Sequence, residues 1–315
     1  MHPSRILFWS ALFFLCAIFI FTGDSSREEY TQKKEASRLT HESQFKLVFS
    51  LREWFLSSIW KIVPEPVNAL VGGVLIGDRS ELPKSIVEDF RRTGLSHITA
   101  VSGYNINIIA VVLMNVLAST VSRRKAFWIV LGILGVFMIL TGLQASVIRA
   151  TIMGLFALFA QQIGRVPTPM HALAIAAAVM VGFEPLILRY DVGFQLSVLA
   201  TLGLLIISPK IEERLPFMKR FGIFGETAIM TISAQMLVLP LLVYYFHSVS
   251  IVSLPVNIII LPLIPALMFL GFIAGMTGWI PVLGHITGFL AWTLGKIILV
   301  IVHWFSAIPW ASISL

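Results

Sequence analysis

Apolar stretches of bilayer length recur along this chain, and they limit the fold more than any other feature. A helix rises about 1.5 Å per residue, so about 20 apolar residues cross a hydrocarbon core about 30 Å thick. Such runs fall at 103–119, 126–141, 146–163, 170–187, 192–207 and 225–246. The next apolar run is interrupted by Pro255, Pro262 and Pro265, which predicts a short half-helix leading into a span at 265–279. A last span is expected at 283–306. Residues 6–22 follow Arg5 and exceed the core of a signal peptide, with no A-x-A-like cleavage site; they read as an uncleaved anchor. The expectation is an all-α polytopic transmembrane bundle, with amphipathic surface helices and broken or re-entrant helices. Composition agrees, since 12% of the 315 residues are charged against about 25% in soluble domains.

Two stretches are amphipathic. Phe45, Val48, Leu51, Phe55, Ile59 and Ile62 form one stripe, and Lys46, Ser50, Glu53, Ser57 and Lys61 the opposite one. That helix lies on the membrane surface or packs on the rest of the protein. Residues 67–77 are too short to span and read as a buried or re-entrant helix, which is tolerated where protein surrounds it. After "GDRSELP", Leu82, Ile86, Val87 and Phe90 make an apolar face, with Lys84, Glu88, Asp89, Arg91 and Arg92 outside.

Between residues 120 and 251, one side of the expected bundle carries Arg123, Arg124, Lys125, Arg165, Lys210, Arg214, Lys219 and Arg220, and the other only Arg189. The richer side is expected to be cytoplasmic. Loops 120–125, 164–168 and 209–222 then face the cytoplasm, and segment 24–102 lies outside. The net charge of +7 points first to topology and anionic lipid. Cys16 is the only cysteine, so a disulfide framework and a thiolate metal site are excluded.

"TGLSHITAVSGYNINIIAVV" places His97, Ser102, Gly103 and Asn105 at the mouth of a spanning helix, with Ser102 as its expected N-cap. Arg149 lies about one turn into a span and needs a partner; Asp191, at the same expected depth, is the predicted one. Asp191 with Gln195, Ser197 with Thr201, and Thr227, Thr231 and Gln235 each share a helix face. With Asn257, these groups glue helices together or line a polar interior. Ala174, Ala178 and Gly182, and Ala150 with Gly154, are spaced for close helix contacts. No G-x-S-x-G, H-E-x-x-H or Walker-type loop is present in the sequence, so neither catalysis nor a cofactor nor a metal is expected.

"GDRSELPKSIVEDFRRTGLSHITAVSGYNINIIA", "SVIRATIMG", "DVGFQLSVLATLGLL" and "SAQMLVLPLLVYYFHSVSIVSLPVNIIILPLIP" occur in this order. Together they resemble the signature of the ComEC competence family. The resemblance implies an inner-membrane channel that admits one strand of DNA during natural transformation. It covers roughly residues 50–305. Asn105 stands where the family often has histidine. Fuller members of the family carry an outer oligonucleotide-binding insert and a metallo-β-lactamase-like domain. Here residues 24–43 stand at the place of the insert, and no H-x-H-x-D-H cluster occurs.

The expected organisation is an anchor at 1–23, a polar outward segment at 24–43 and a competence membrane domain at 44–310, without nuclease activity. The candidate pathway or mouth residues are His97, Ser102, Gly103, Asn105, Arg149, Asp191, Gln195, Gln235 and Asn257. Expected partners are membrane lipid, single-stranded DNA, and separate nuclease, DNA-binding or motor proteins. The alternatives are a transporter of a smaller polar or anionic solute and a non-conducting membrane assembly factor.

Overall fold

The structure is a computed structural model that describes Tyr30 and residues 45–99, 101, 103–166 and 168–314. The anchor and nearly all of the polar segment expected at 24–43 lie outside the described residues, as does Ser102. In chain order the helices are α1 (Lys46–Ile62), α2 (Val67–Ile76), α3 (Lys84–Arg92), α4 (Gly103–Ala118), α5 (Arg123–Leu140), α6 (Ala145–Gln162) and α7 (Pro169–Phe183). They continue with α8 (Ile187–Tyr190), α9 (Val192–Ile206), α10 (Ser208–Arg214), α11 (Ile223–Phe246), α12 (Ser253–Ile260), α13 (Ile264–Thr277) and α14 (Pro281–Ser306). Strands β1 (Ser248–Ser250) and β2 (Ser312–Ser314) pair antiparallel, with Val249 opposite Ile313.

The protein is all-α and polytopic. A helix stands at each of the eight spans expected between residues 103 and 306. Among the described residues, five runs are long and apolar enough to cross a membrane: Ala145–Gln162, Val192–Arg214, Ile223–Phe246, Ser253–Thr277 and Pro281–Ser306. The proline-rich stretch forms α12, a single 3-10 turn at Leu261–Leu263, and α13. Pro262 and Pro265 lack the amide hydrogens that a continuous helix needs there.

The described residues form two compact units. The first comprises Ile106–Glu213 and Ser233–Val238. In it α6, α7 and α9 pack on one another around Ala145, Met180, Ile187, Phe194 and Val198. The small-residue stripe is not the contact face: Ala174, Ala178 and Gly182 are exposed. Helix α7 instead buries Ala172, Leu173, Ala176 and Met180. A β-carbon placed at Gly154 or Gly182 would meet nothing within 4 Å. The close approach is at Gly203, where a β-carbon would lie 2.2 Å from the Ser233 carbonyl oxygen.

The second unit comprises Leu47–Asn105, Arg214–Ile232 and Leu239–Leu315. Its core is α2, all ten of whose residues are buried. It packs on the α13–α14 hairpin, where Gly271 meets Val71 and Leu75 and Gly295 meets Val67. The C-terminal half of helix α1 packs on protein. Phe55, Ser58 and Ile62 lie against Gly275, Gly278 and Gly288. Leu47, Leu51, Trp54 and Trp60 remain exposed. Leu82, just before α3, and Phe90 on it are buried as expected, but Val87 is exposed.

The glycines predict two opposite outcomes. Gly203→Ala should lower the thermal midpoint of the detergent-purified protein, costing about 1–3 kcal/mol by overpacking. Gly154→Ala has room, and it should be neutral or stabilise by up to about 1 kcal/mol through helix propensity.

Candidate functional site

The "GDRS" turn begins where α2 ends. Gly77 adopts φ 80° and its amide caps the Gly73 carbonyl, as a glycine just past a helix end can. Asp78 then accepts hydrogen bonds from the Ser80 amide (3.1 Å) and hydroxyl (2.6 Å). It also pairs with Arg52 of α1 at 2.9 Å. Arg79 reaches across to the "TGLSH" stretch, donating from Nε to the Thr99 carbonyl (3.1 Å) and from Nη2 to the Ser96 carbonyl (3.2 Å).

"TGL" itself is a helix stop. The Gly94 amide donates to the Arg91 carbonyl, the Leu95 amide to the Phe90 carbonyl, and Gly94 has φ 73°. This is the Schellman arrangement, completed by apolar contact between the residues at its two ends; Leu95 and Phe90 are both buried. A β-carbon at Gly94 would stand 2.7 Å from Ser253 Cβ. The "TGL" at 141–143 closes α5 with the same pair of bonds. From the start of α4, Asn105, 2% exposed, donates Nδ2 to the Val74 carbonyl at 3.3 Å. Nearby in the chain after β1, Asn257 donates to the Ser253 carbonyl at 2.8 Å. His97 is exposed and stands in the loop that Arg79 clamps.

Helix α3 is tied to the end of α14. Asp89 accepts from the Ser306 hydroxyl at 2.6 Å and lies 2.9 Å from His303 Nδ1. Arg92 donates to the Ile308 carbonyl. Asp89 and Arg92 are therefore held by partners rather than lying on a free outer face. Arg91 grips Glu88 with two bonds of 2.7 Å and holds its carboxyl below the usual carboxylate range. That pair is half-exposed, so it adds little stability.

The other candidates lie in the first unit. Arg149 is 6% exposed, and it does not pair with Asp191. Its Nε donates to Ser197 Oγ and its Nη1 to Thr201 Oγ1, both at 2.8 Å. Asp191 is the N-cap of α9 and accepts the Phe194 amide at 2.8 Å. Ser197 and Thr201 lie six and ten residues further along, about 9 and 15 Å deeper at helical rise, so the expected depth match fails. Gln195 donates Nε2 to the Leu188 and Arg189 carbonyls (2.9 and 3.0 Å). Gln235 is half-buried on α11. Among the described residues no three His, Cys, Asp or Glu side chains converge as a metal site.

The nine candidate residues, less Ser102, thus divide between the two units, where Arg149 with Ser197 and Thr201 makes a polar node in the first and the bonds of Arg79 and Asn105 make one in the second. Sequence reasoning missed the Arg79 clamp, the Arg52–Asp78 pair and the Asp89–Ser306 bond. Only the charges of "GDRS" hinted at them.

A sequence model of the family described as Competence protein matches residues 74–315. The chain belongs to the competence protein family. It is also similar to ComE operon protein 3 of Bacillus subtilis (strain 168), with 27% identity over 230 residues. The aligned part is 73% of this chain but only 29% of that protein, so the chain spans less than a third of its curated relative. No solved structure matches. The family match begins within α2 and takes in the residues of both nodes. This competence protein is accordingly a multi-pass membrane component related to competence.

Two expectations test the nodes. Asn105→Leu leaves the buried Val74 carbonyl without the amide and should cost about 1–3 kcal/mol. Asn105→His, which keeps an N–H donor, should recover most of that in thermal unfolding. Arg79→Gln should speed amide hydrogen exchange in residues 95–99 well before it changes exchange in α14. Uniform exchange in both regions would show that the clamp holds nothing locally.

Proposed function

We propose that this chain forms the membrane-embedded conduit through which a single strand of DNA enters the cell during transformation. The observation that carries the reading is the placement of the family-like motifs. Asn105, Arg149, Asp191, Gln195 and Asn257 of those motifs are buried within apolar helical units, while Arg79 and His97 stand on exposed turns. A strand bearing a phosphate charge every few ångströms needs polar or basic groups along its way, and these nodes hold such groups. The Lys/Arg bias supports the inner-membrane orientation, with the basic loops in the cytoplasm and the "GDRS" and "TGLSH" turns outside. The 315 residues include no nucleotide-binding loop. The driving force, strand degradation and capture of DNA then fall to a motor, a nuclease and a DNA-binding protein or domain outside them.

Among the described residues of the first unit Arg149 is the buried cation, while Lys296 of α14 is exposed. Such sparse basic lining favours, as a second reading, passage of a smaller anion. In a naturally competent host, deletion of the gene should reduce labelled DNA in nuclease-resistant form to background, and a plasmid copy should restore it. Unchanged uptake overturns the conduit reading. Vesicles holding the purified chain that pass a small anion but no oligonucleotide would establish the second.

A further inference from the structure

Arg149 is a charge inside the first unit with no counter-charge among the described residues. A guanidinium stays protonated at any physiological pH. Yet the groups that receive its hydrogen bonds are neutral: Ser197 Oγ, Thr201 Oγ1 and, at 3.2 Å, Met153 Sδ. No carboxylate of a described residue lies within salt-bridge distance of it. Its Nη2 carries two N–H groups and donates to no described residue.

The Thr201 hydroxyl proton is committed to the Ser197 carbonyl at 2.9 Å. The Ser197 hydroxyl accepts from Nε, and its own proton is uncommitted. In a guanidinium Nη2 shares an edge with Nε, so an oxygen bound at Nη2 comes within reach of that hydroxyl. Ser197 and Thr201 are half-buried rather than sealed, which leaves an approach. The node sits one helical turn inside the start of α6, about 6 Å by helical rise.

We propose that Arg149 and Ser197 form a binding site for a singly charged phosphodiester. One guanidinium balances one negative charge, and its planar fork suits two oxygens on a single phosphorus. Thr201 positions the fork from the other side. A dianionic phosphate would leave one charge uncompensated in a site that supplies only one cation. A phosphodiester reaches such a site from a nucleic-acid backbone or from a lipid headgroup. The site rests on the conduit reading for the first source only.

The test is a titration of the purified chain in a maltoside detergent, which contains no phosphate. The thermal midpoint is followed against sodium dimethyl phosphate and against sodium chloride at equal ionic strength. Dimethyl phosphate should raise the midpoint saturably beyond chloride. Ser197→Ala should weaken half-saturation about tenfold, as loss of one charge-assisted bond does. Arg149→Gln should abolish the response, and Arg149→Lys should leave a weakened one. If Arg149→Gln yields no folded protein, Ser197→Ala still decides, because it keeps the guanidinium.

Equal responses to the two salts, or a Ser197→Ala titration matching the wild type, overturn the site. Oligothymidylate and phosphatidylglycerol are then added separately. An Ser197-dependent response to the first assigns nucleic acid, and to the second alone a lipid headgroup. A response to neither overturns the phosphodiester assignment. A normal dimethyl phosphate response together with unimpaired DNA uptake in the deletion strain keeps the site and removes the conduit.

Discussion

A ten-residue helix reaches only about 15 Å, half the thickness of a hydrocarbon core, and its terminal backbone groups have no partners within the helix. Val67–Ile76 is such a helix, and every residue of it is buried. It is tenable only because protein supplies what water cannot. The Gly77 amide takes the Gly73 carbonyl, and the Asn105 amide takes the Val74 carbonyl. Around it, Gly271 and Gly295 lack the side chains that would hold Val71, Leu75 and Val67 away. The position of the "GDRS" turn follows directly, since that turn begins at the capping glycine.

The polar residues of the family-like stretches serve backbone atoms more than they serve one another. Arg79 spends its donors on the carbonyls of Ser96 and Thr99, and Gln195 on those of Leu188 and Arg189. A turn at membrane depth or at its edge leaves carbonyls that cost several kcal/mol if unpaired, and a side-chain amide or guanidinium is the available remedy. Each unit thereby gains a fixed non-helical segment. Arg149 departs from this pattern: its donors go to hydroxyls, which can pass a hydrogen bond onward.

Much of this architecture was legible in the sequence. Span positions could be read because hydrophobicity and length act locally, and the prolines at 262 and 265 marked the broken run correctly. The helix stop at Gly94 was present in the letters "TGL" but is a three-residue signal that many loops share. The buried faces were less legible. Ala174, Ala178 and Gly182 have the spacing of a contact stripe and are exposed, while Gly203, with no repeat to mark it, makes a tight contact, and the small residues Gly284, Gly288, Ala291 and Gly295 of the last helix are buried. Which face of an apolar helix meets protein depends on its neighbours, and in a bilayer both faces are apolar. The partner of Arg149 was misread for a related reason. Matching depth from span ends assumes that both side chains start level, and Asp191 is spent at the helix start as a cap.

The packing of Val67–Ile76 on Ile264–Thr277 and Pro281–Ser306 joins segments about two hundred residues apart. At synthesis rates of roughly 5–20 residues per second, the hairpin that encloses this helix emerges some 10–45 s after it. For that interval a strongly apolar segment too short to lodge across the bilayer has Leu56, Leu82 and Asn105 beside it but lacks the hairpin that encloses it. Its biogenesis therefore depends on a temporary host, either the insertion machinery or the spans made in between. Slow completion of the chain is a vulnerability built into this order of parts.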